Sequence, residues 1–459
     1  MADVVRADAV IVGSGQAAPA LAVALAQRGE SVVLVEARQL GGTCVNTGCT
    51  PTKTLRKSAR VAHMARRAAE FGVHVGEVRV DFAAAMQRMQ QRVEASRTGL
   101  EKWLAGQANV QVERGFGSFA GRTDDGFELQ AGTRRIRATR VYLNTGTRPF
   151  VPPIPGLDAV PHLDNAALLQ LRELPRHLVI LGGSYIGLEF AQIFRRLGSQ
   201  VSVVEGSPRI ASREDPEVSD CIRTFLEEEG IRIVTGQAVR RAEREGDGVA
   251  LVAGGERIAG SHLLVATGRV PNTDRLALDT VGLQTDGRGF IRTNGRLETP
   301  VAGIWALGDI NGRGAFTHTS YHDHEIVLAN HLGGDRSADT RTMAYAMYTD
   351  PPLGRVGLSE SEARASGQAH LLATYAMADV SRAREESETT GLVKILVEAA
   401  SGRIAGATIV GINADEIIQC IGNFMATGSH YRVLQQALPV HPTVTEFLPT
   451  ILGRLKPLA

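Results

Sequence analysis

The chain has 459 residues, with 50 Lys plus Arg against 49 Asp plus Glu, 43% hydrophobic residues and 5% aromatic ones. The balanced charge excludes a basic field for nucleic acid, the scarce aromatics exclude a stacking platform for single strands, and no apolar window is long enough to span a membrane. The length exceeds a single core of about 250–300 residues, so two or three domains are expected.

Met1 to Ala7 carries Asp3 and Arg6, and the first apolar run, Ala9–Val12, stops at a glycine after four residues. No signal peptide is expected there. Four cysteines in so long a chain do not make a disulfide scaffold. The expected location is cytoplasmic. Glycine is the one inflated count, about 11% against a usual ~7%, which points to tight strand-to-helix turns.

The first such turn follows at once. Asp8–Val12 reads as a buried strand, Gly13-Ser-Gly15-Gln-Ala-Ala18 as a turn, then a helix runs to Gln27, and Ser31–Val35 forms a second strand ending on Glu36. Gly13 permits the tight turn, Gly15 lets backbone approach a pyrophosphate, and Ala18 lets the helix pack on the sheet. The helix N-terminus receives phosphates, and Glu36 accepts from a ribose diol. Ala18 replaces the third glycine of the fingerprint.

Next comes Gly41-Gly-Thr-Cys44-Val-Asn-Thr-Gly-Cys49-Thr-Pro-Thr-Lys53. Five residues of ideal helix rise roughly 7.5 Å, whereas bridged Cα atoms lie about 4.4–6.8 Å apart, so the pair closes only on a distorted turn, for which Gly48 and Pro51 are suited. A bridge over so small a loop stabilises little. Zinc wants four ligands, and Cys221 and Cys420 are isolated in sequence. Redox chemistry is the remaining use of the pair. Lys53 and the start of a helix reaching about Ala69 favour a thiolate.

The grammar of the first turn returns at Arg176–Leu181, Gly182-Gly-Ser-Tyr-Ile-Gly187, a helix over Leu188–Leu197, and a strand Gln200–Val204 ending on Glu205. Gly13 to Glu36 and Gly182 to Glu205 both span 23 residues. Ser184 stands where the middle glycine would be. Each copy closes on a further glycine motif after an apolar strand: Asn144-Thr-Gly146 after Arg140–Leu143, and Ala266-Thr-Gly268 after His262–Val265. From first turn to closing motif is 133 residues in the first copy and 86 in the second, so the first carries 47 extra residues, cysteines included.

His318 and His322 stand one helical turn apart in His318-Thr-Ser-Tyr-His322-Asp-His324-Glu325, a spacing a metal can use. Beyond residue 339 the pattern changes to strands at Arg355-Val-Gly-Leu, Leu392–Glu398 and Ile404–Ile409, and helices at about 414–426 and 431–437. In His441-Pro-Thr-Val-Thr-Glu446, Pro442 suits the first turn of a helix, which would expose His441 with Glu446 in reach.

Taken together, these motifs resemble the class I flavin- and pyridine nucleotide-dependent disulfide oxidoreductases, which include dihydrolipoyl dehydrogenase, glutathione reductase and mercuric reductase. The resemblance runs from Ala9 to about Lys456. It implies an α/β fold with two Rossmann-like dinucleotide-binding domains, for FAD and NAD(P), plus an α+β C-terminal dimerisation domain. Residues 1–150 and 271–338 are then the FAD-binding domain, 151–270 the NAD(P)-binding domain, and 339–459 the interface of a homodimer.

By the same resemblance Cys49 is the flavin-proximal thiol and Cys44 the interchange thiol that meets a small disulfide substrate. His441, held by Glu446, is the acid/base for the partner subunit's disulfide. Thr43, Lys53, Gly117, Asp309 and His318 join Gly13, Gly15, Glu36 and Gly146 around FAD, with Glu189 pairing Lys53. The other histidines of the His318 run are then solvated or partner-facing, and no metal is expected. Gly182, Gly187, Glu205 and Gly268 line the nicotinamide coenzyme. A carboxylate at Glu205 favours a free ribose 2′-hydroxyl, hence NADH over NADPH, while Arg209 and Arg213 stand close in sequence.

Within the family the substrate stays open. Dihydrolipoyl dehydrogenase typically has Ile-Pro-Ser-Lys and His-Ala-His-Pro where this chain has Thr50-Pro-Thr-Lys53 and Pro439-Val-His-Pro442. Mercuric reductase relies on a C-terminal cysteine pair, whereas this sequence finishes Leu455-Lys-Pro-Leu-Ala459. Glutathione reductase has an arginine near the position of Val23. A flavin-dependent redox sensor is the non-enzymatic alternative, opposed by the complete cysteine, lysine and histidine set.

Overall fold

The structure, a computed structural model, describes residues 4–458. The expected lack of a signal peptide, read over Met1–Ala7, and the terminal Ala459 fall partly or wholly outside them. No helix among the described residues is long and apolar enough to cross a membrane.

Apolar runs fully buried on both faces make parallel strands, and two parallel sheets result. In the first, the order is Val110–Arg114, Val32–Glu36, Val4–Val12 and Arg134–Leu143, extended by Gly126–Ala131 and Gly117–Thr123, with Ile304–Ala306 also pairing on Arg134–Leu143. In the second, the order is Arg232–Val234, Gln200–Val204, His177–Leu181 and His262–Val265. A three-stranded antiparallel sheet, Val239–Glu245, Gly248–Ala253 and Glu256–Gly260, accompanies the second as the Gly117–Leu143 meander accompanies the first.

The two copies match residue for residue at their ends. Gly13 N–H donates to Val35 O and Gly182 N–H to Val204 O, both at 2.8 Å. Asn144 N–H donates to Val12 O and Ala266 N–H to Leu181 O, again at 2.8 Å. Gly13 and Gly182 hold φ of +90° and +114°, and a side chain at either would strike the backbone of Asn144 or Ala266. The glycine turn and the closing motif are therefore pressed together in each copy.

The copies differ in one crossover. Glu36 and Val110 are 74 positions apart, Glu205 and Arg232 only 27, a difference of 47. All the extra length of the first copy is thus in the crossover that carries the helices Gly42–Asn46, Cys49–Arg67 and Phe82–Ala105. The copies meet in an antiparallel ribbon, Thr147–Pro149 with Arg269–Pro271, in which Arg148 faces Val270. Phe150 N–H donates to Gly268 O at 2.9 Å and Asn272 N–H to Gly146 O at 3.0 Å, a reciprocal exchange between equivalent positions.

The last unit is a sheet of Ala344–Met347, Leu353–Gly357, Ile404–Val410, Leu392–Glu398, His370–Ala376 and Lys456–Pro457, all antiparallel neighbours, with Ala414–Ala426 packed on one face. A buried ammonium joins it to the second copy. Lys394 reaches Asp215 at 2.9 Å, Glu360 at 2.6 Å and Glu217. Those three carboxylates have metal-like spacing, but the lysine sits among them.

Candidate active site

Between Asn46 and Cys49 the chain breaks its helix for two residues. Gly48 takes φ −129° and ψ −112°, and a Cβ there would lie 2.9 Å from Thr43 O. Only a glycine lets the second helix start so close to the turn that carries Cys44. The distorted turn expected for the pair is present, and both thiols are free, Cys44 half-buried and Cys49 exposed. Thr43 lies in the short first helix, and its carbonyl accepts the Thr47 N–H at 2.9 Å.

Three further side chains reach this pair from distant segments. Thr317 Oγ1, at the start of helix Thr317–His331, lies 3.2 Å from Cys49 Sγ. Lys53, one turn on from Cys49, places Nζ 2.7 Å from Glu189 Oε2. Glu189 is buried on helix Tyr185–Leu197, and its other oxygen accepts the Tyr348 N–H at 2.7 Å. The Tyr348 ring lies 4.5 Å from Lys53 Nζ. The ammonium is thus held between a carboxylate and an aromatic face.

The two thiols are polarised in opposite senses. Hydrogen bonding from Cys44 brings the Cys49 thiol down to about 6, aided by Thr317 and the Lys53 charge, against burial and the Glu189 charge. The same hydrogen bond, with burial, pushes Cys44 up. The fold thus favours the thiolate at Cys49 over that at Cys44.

Around the first glycine turn, Glu36 Oε2 accepts from Ser14 N at 3.0 Å and Ser14 Oγ at 2.6 Å. Around the second, Glu205 Oε2 accepts from Gly183 N at 2.7 Å and Oε1 from Ser207 N at 2.7 Å. Neither following helix, Ala18–Ala26 or Tyr185–Leu197, has a side-chain cap, so first-turn amides remain free for phosphate. Gly187 packs directly on Gly182 O.

The residues present fit FAD beside the first turn. Gly15 lies so close to Asn144 that a Cβ would come within 2.5 Å of its Oδ1, and that buried Oδ1 has no partner among the described residues. Gly146 and Gly268, both at positive φ, face open space. Gly117 stands over the strand ends at Val12 and Val35. Asp309 is half-buried in the turn Gly308–Asn311, where Thr147 Oγ1 donates to its Oδ2 at 3.0 Å and Arg269 Nε donates to Thr147 Oγ1 at 2.7 Å. Burial pushes the Asp309 carboxyl up.

His318 Nε2 donates to Ala344 O at 2.7 Å, and its ring stacks on Phe316. The neighbouring histidines do not converge. His322 meets Arg336 at 2.9 Å, His331 meets Glu30 at 2.9 Å, and His324 meets Tyr321 O. His324 corrects the expectation of a solvated or partner-facing ring: it is buried within its own chain, with Tyr321 O as its polar partner.

His441 Nδ1 lies 2.9 Å from Glu446 Oε2, and its side chain is 77% exposed. Here too one expectation fails. Pro442 does not open a helix; the His441–Pro442 bond is cis, and Thr443 Oγ1 organises the turn by donating to Val440 O at 2.8 Å and accepting Glu446 N–H at 3.2 Å. Regular helical turns begin only at Thr445.

The structure therefore gathers Cys44, Cys49, Lys53 and Glu189 in one place, lines the two glycine turns with their acids, and leaves exposed His441, backed by the largely covered Glu446, as a separate pair. Thr317, Tyr348, Thr147 and Arg269 were not legible as site residues. The only signal for Thr317 is its place before His318.

Two dinucleotide folds joined to a cysteine pair define a class. Residues 7–323 match the family model for pyridine nucleotide-disulphide oxidoreductases, and residues 343–451 match the dimerisation domain of that family. The chain belongs to this family, whose members use FAD and a pyridine nucleotide, and it is a flavoprotein disulfide oxidoreductase, as the resemblance implied. It is 35% identical over 453 residues to the probable pyridine nucleotide-disulfide oxidoreductase RclA of Escherichia coli (strain K12), covering 98% of this chain and 99% of RclA. It is 36% identical over 449 residues to mercuric reductase of Streptomyces lividans, covering 95% and 93%. It is 31% identical over 443 residues to dihydrolipoyl dehydrogenase of Bacillus subtilis (strain 168), covering 95% and 96%. The solved Cu(II) complex of the HOCl-induced flavoprotein disulfide reductase RclA from Escherichia coli superposes with a TM-score of 0.89 at 34% identity, covering 98% of this chain and 99% of that one.

Proposed function

We propose that the protein is an NADH-dependent reductase of a small disulfide, working as a homodimer through Cys44, Cys49 and the partner subunit's acid/base pair. The polarised thiols carry this reading: the thiolate is favoured at Cys49, beside Thr317 and Lys53, and Cys44 holds a proton that a base must take. Residues 1–150 and 271–338 would hold FAD, which would supply a two-electron carrier between the nicotinamide and the Cys44–Cys49 disulfide. Residues 151–270 hold the nicotinamide coenzyme, and residues 339–459 form the dimer interface.

The chain's own residues do the following. Gly13, Gly15, Glu36, Gly117, Gly146 and Asp309 bind and orient FAD. Thr43, Lys53 and His318 complete its surroundings, with Glu189 and Tyr348 fixing the lysine. Gly182, Gly187, Glu205 and Gly268 seat the coenzyme. His441, oriented by Glu446, takes the Cys44 proton. The Cys44 sulfur then attacks the substrate S–S bond. That bond breaks, a mixed disulfide forms on Cys44, and the leaving thiolate takes the proton back from His441. Cys49 thiolate attacks Cys44 Sγ, which closes the Cys44–Cys49 disulfide and releases the second thiolate.

NADH is favoured over NADPH because Glu205 repels a 2′-phosphate, while Arg209 points to Asp220 at 3.4 Å. A reducing, cytoplasmic compartment suits a dithiol that is re-formed at every turnover. A second reading takes a metal ion as electron acceptor, favoured by the Cu(II) complex of RclA.

A panel of lipoamide, glutathione disulfide, small cyclic disulfides, Cu(II) and Hg(II), each assayed for NADH and NADPH consumption, tests both readings. Turnover with a disulfide and NADH supports the first. Turnover with metal ions alone supports the second. In a companion assay with dihydrolipoamide and NAD+, NADH formation without turnover in the panel points to a dihydrolipoyl dehydrogenase.

A further inference from the structure

The histidines of the run His318–Glu325 take separate partners, and the run contains one buried charge that the reading above does not use. Asp323 is 1% exposed. Its Oδ2 accepts Gly308 N–H at 2.7 Å and Asn311 Nδ2–H at 3.1 Å, and its Oδ1 pairs with Arg341, which is itself nearly buried. Both oxygens are therefore committed: one to the turn that carries Asp309, the other to a cation arriving from the segment that leads into the last sheet.

We propose that Asp323 and Arg341 are positioning residues for FAD, a buried ion pair that fixes the Gly308–Asn311 turn and so sets where the Asp309 carboxylate stands. The proposal rests on the reading that Asp309 meets the flavin cofactor.

A buried pair adds little net stability, because desolvation offsets its attraction, so its presence calls for another account. Geometry supplies one. The turn is held from two opposite sides. Asn144, in the closing motif of the first copy, donates through Nδ2 to Leu307 O at 2.7 Å. Asp323, on helix Thr317–His331, takes the Gly308 amide. Asn311, inside the turn, donates to both Ala306 O at 3.0 Å and Asp323 at 3.1 Å. A neutral acceptor would make the same bonds more weakly, since charge-assisted bonds are roughly twice as strong. Arg341 compensates the buried charge by pairing with Oδ1, which leaves Oδ2 for the turn. The same helix begins at Thr317 beside Cys49, so one rigid element registers both the thiol and the Asp309 turn.

The experiment uses flavin-free protein refilled with FAD. The dissociation constant is read from quenching of flavin fluorescence, and fold is checked by far-UV circular dichroism and thermal melting. Asp323→Asn and Arg341→Gln should each weaken FAD binding about tenfold or more, the scale of losing one charged hydrogen bond. The double variant, which leaves no lone charge, should bind FAD better than either single variant, and Arg341→Lys should stay near the unmodified protein. A general loss of fold would show no such recovery. Unchanged FAD affinity in both single variants, or no recovery in the double, overturns the proposal. Asp309→Asn separates the two levels. If it weakens FAD binding while the pair variants do not, the clamp alone is wrong; if it too is without effect, the reading of Asp309 is wrong.

Discussion

Lys53 and Glu189 stand 2.7 Å apart, so the helix that begins at Cys49 is tied to the helix that follows the second glycine turn. The redox pair and the second dinucleotide fold thus share a rigid contact. The thiols are not on a free loop.

Removing that contact has a defined cost. Glu189→Ala leaves the Tyr348 amide and Lys53 without their acceptor. The expected loss is about 1–2 kcal/mol, kept low because Lys53 is one-third exposed. Thermal melting of the variant should show a lower Tm, and an unchanged Tm would assign the pair no structural weight.

Cys49 should titrate near 6. Its pKa is lowered in the fold, so the thiolate persists above that pH and is lost as pH falls through it, while Cys44 stays protonated throughout. In the reduced holoprotein, the long-wavelength absorbance of a thiolate against flavin should follow that curve. Cys49→Ser should abolish the band. Thr317→Val should move its midpoint up by about one pH unit, and Thr317→Ser should leave it in place. A band that survives Cys49→Ser would exchange the roles of the two thiols.

Lys394 balances three acids in the seam between the second dinucleotide fold and the last sheet. Lys394→Met should destabilise by about 3–5 kcal/mol, since it leaves buried carboxylate uncompensated. The carboxyls of Asp215 and Glu360 are held below their ordinary range by Lys394, against burial. Their contribution is full above the unfolded carboxylate pKa and is lost as pH falls through the lower folded values. Melting in acid should therefore converge for the two proteins. EDTA should leave Tm unchanged, because lysine and not a metal holds the cluster.

How much of this was legible in sequence depends on range. The glycine turns, their acids 23 residues on, and the closing motifs are local patterns with local causes, and the strands fell where those patterns placed them. Even the 47-residue excess of the first copy found its place in one crossover. Thr317 was not legible as a partner of Cys49, because 268 residues separate them and a lone Thr before a His has no signature. Tyr348 was hidden for the same reason. Pro442 misled because its fit to a helix start is a local preference, whereas the Thr443 side chain selects a turn there. The histidine run misled because His324 finds its partner in a backbone carbonyl of its own helix.

Coenzyme choice is decided by kcat/KM for NADH against NADPH. Glu205, fixed by Gly183 N–H of the glycine turn and by Ser207 N–H, sets a carboxylate beside that turn and should give an NADH preference. Glu205→Ala should reduce that preference. A clear preference of the unmodified protein for NADPH would reject the assignment.

The central claim is that the thiols of one subunit work with the histidine of the other. Cys44→Ser protein and His441→Gln protein should each be nearly inactive toward disulfide, the latter by at least ~10²-fold, the usual scale for losing a general acid/base. Hydride transfer from NADH should survive in the His441→Gln protein. After subunit exchange between the two, verified by mass, heterodimers hold one site with an intact cysteine pair from one chain and an intact His441 from the other. Recovery of disulfide turnover is the predicted result, and absence of recovery in verified heterodimers would contradict the account.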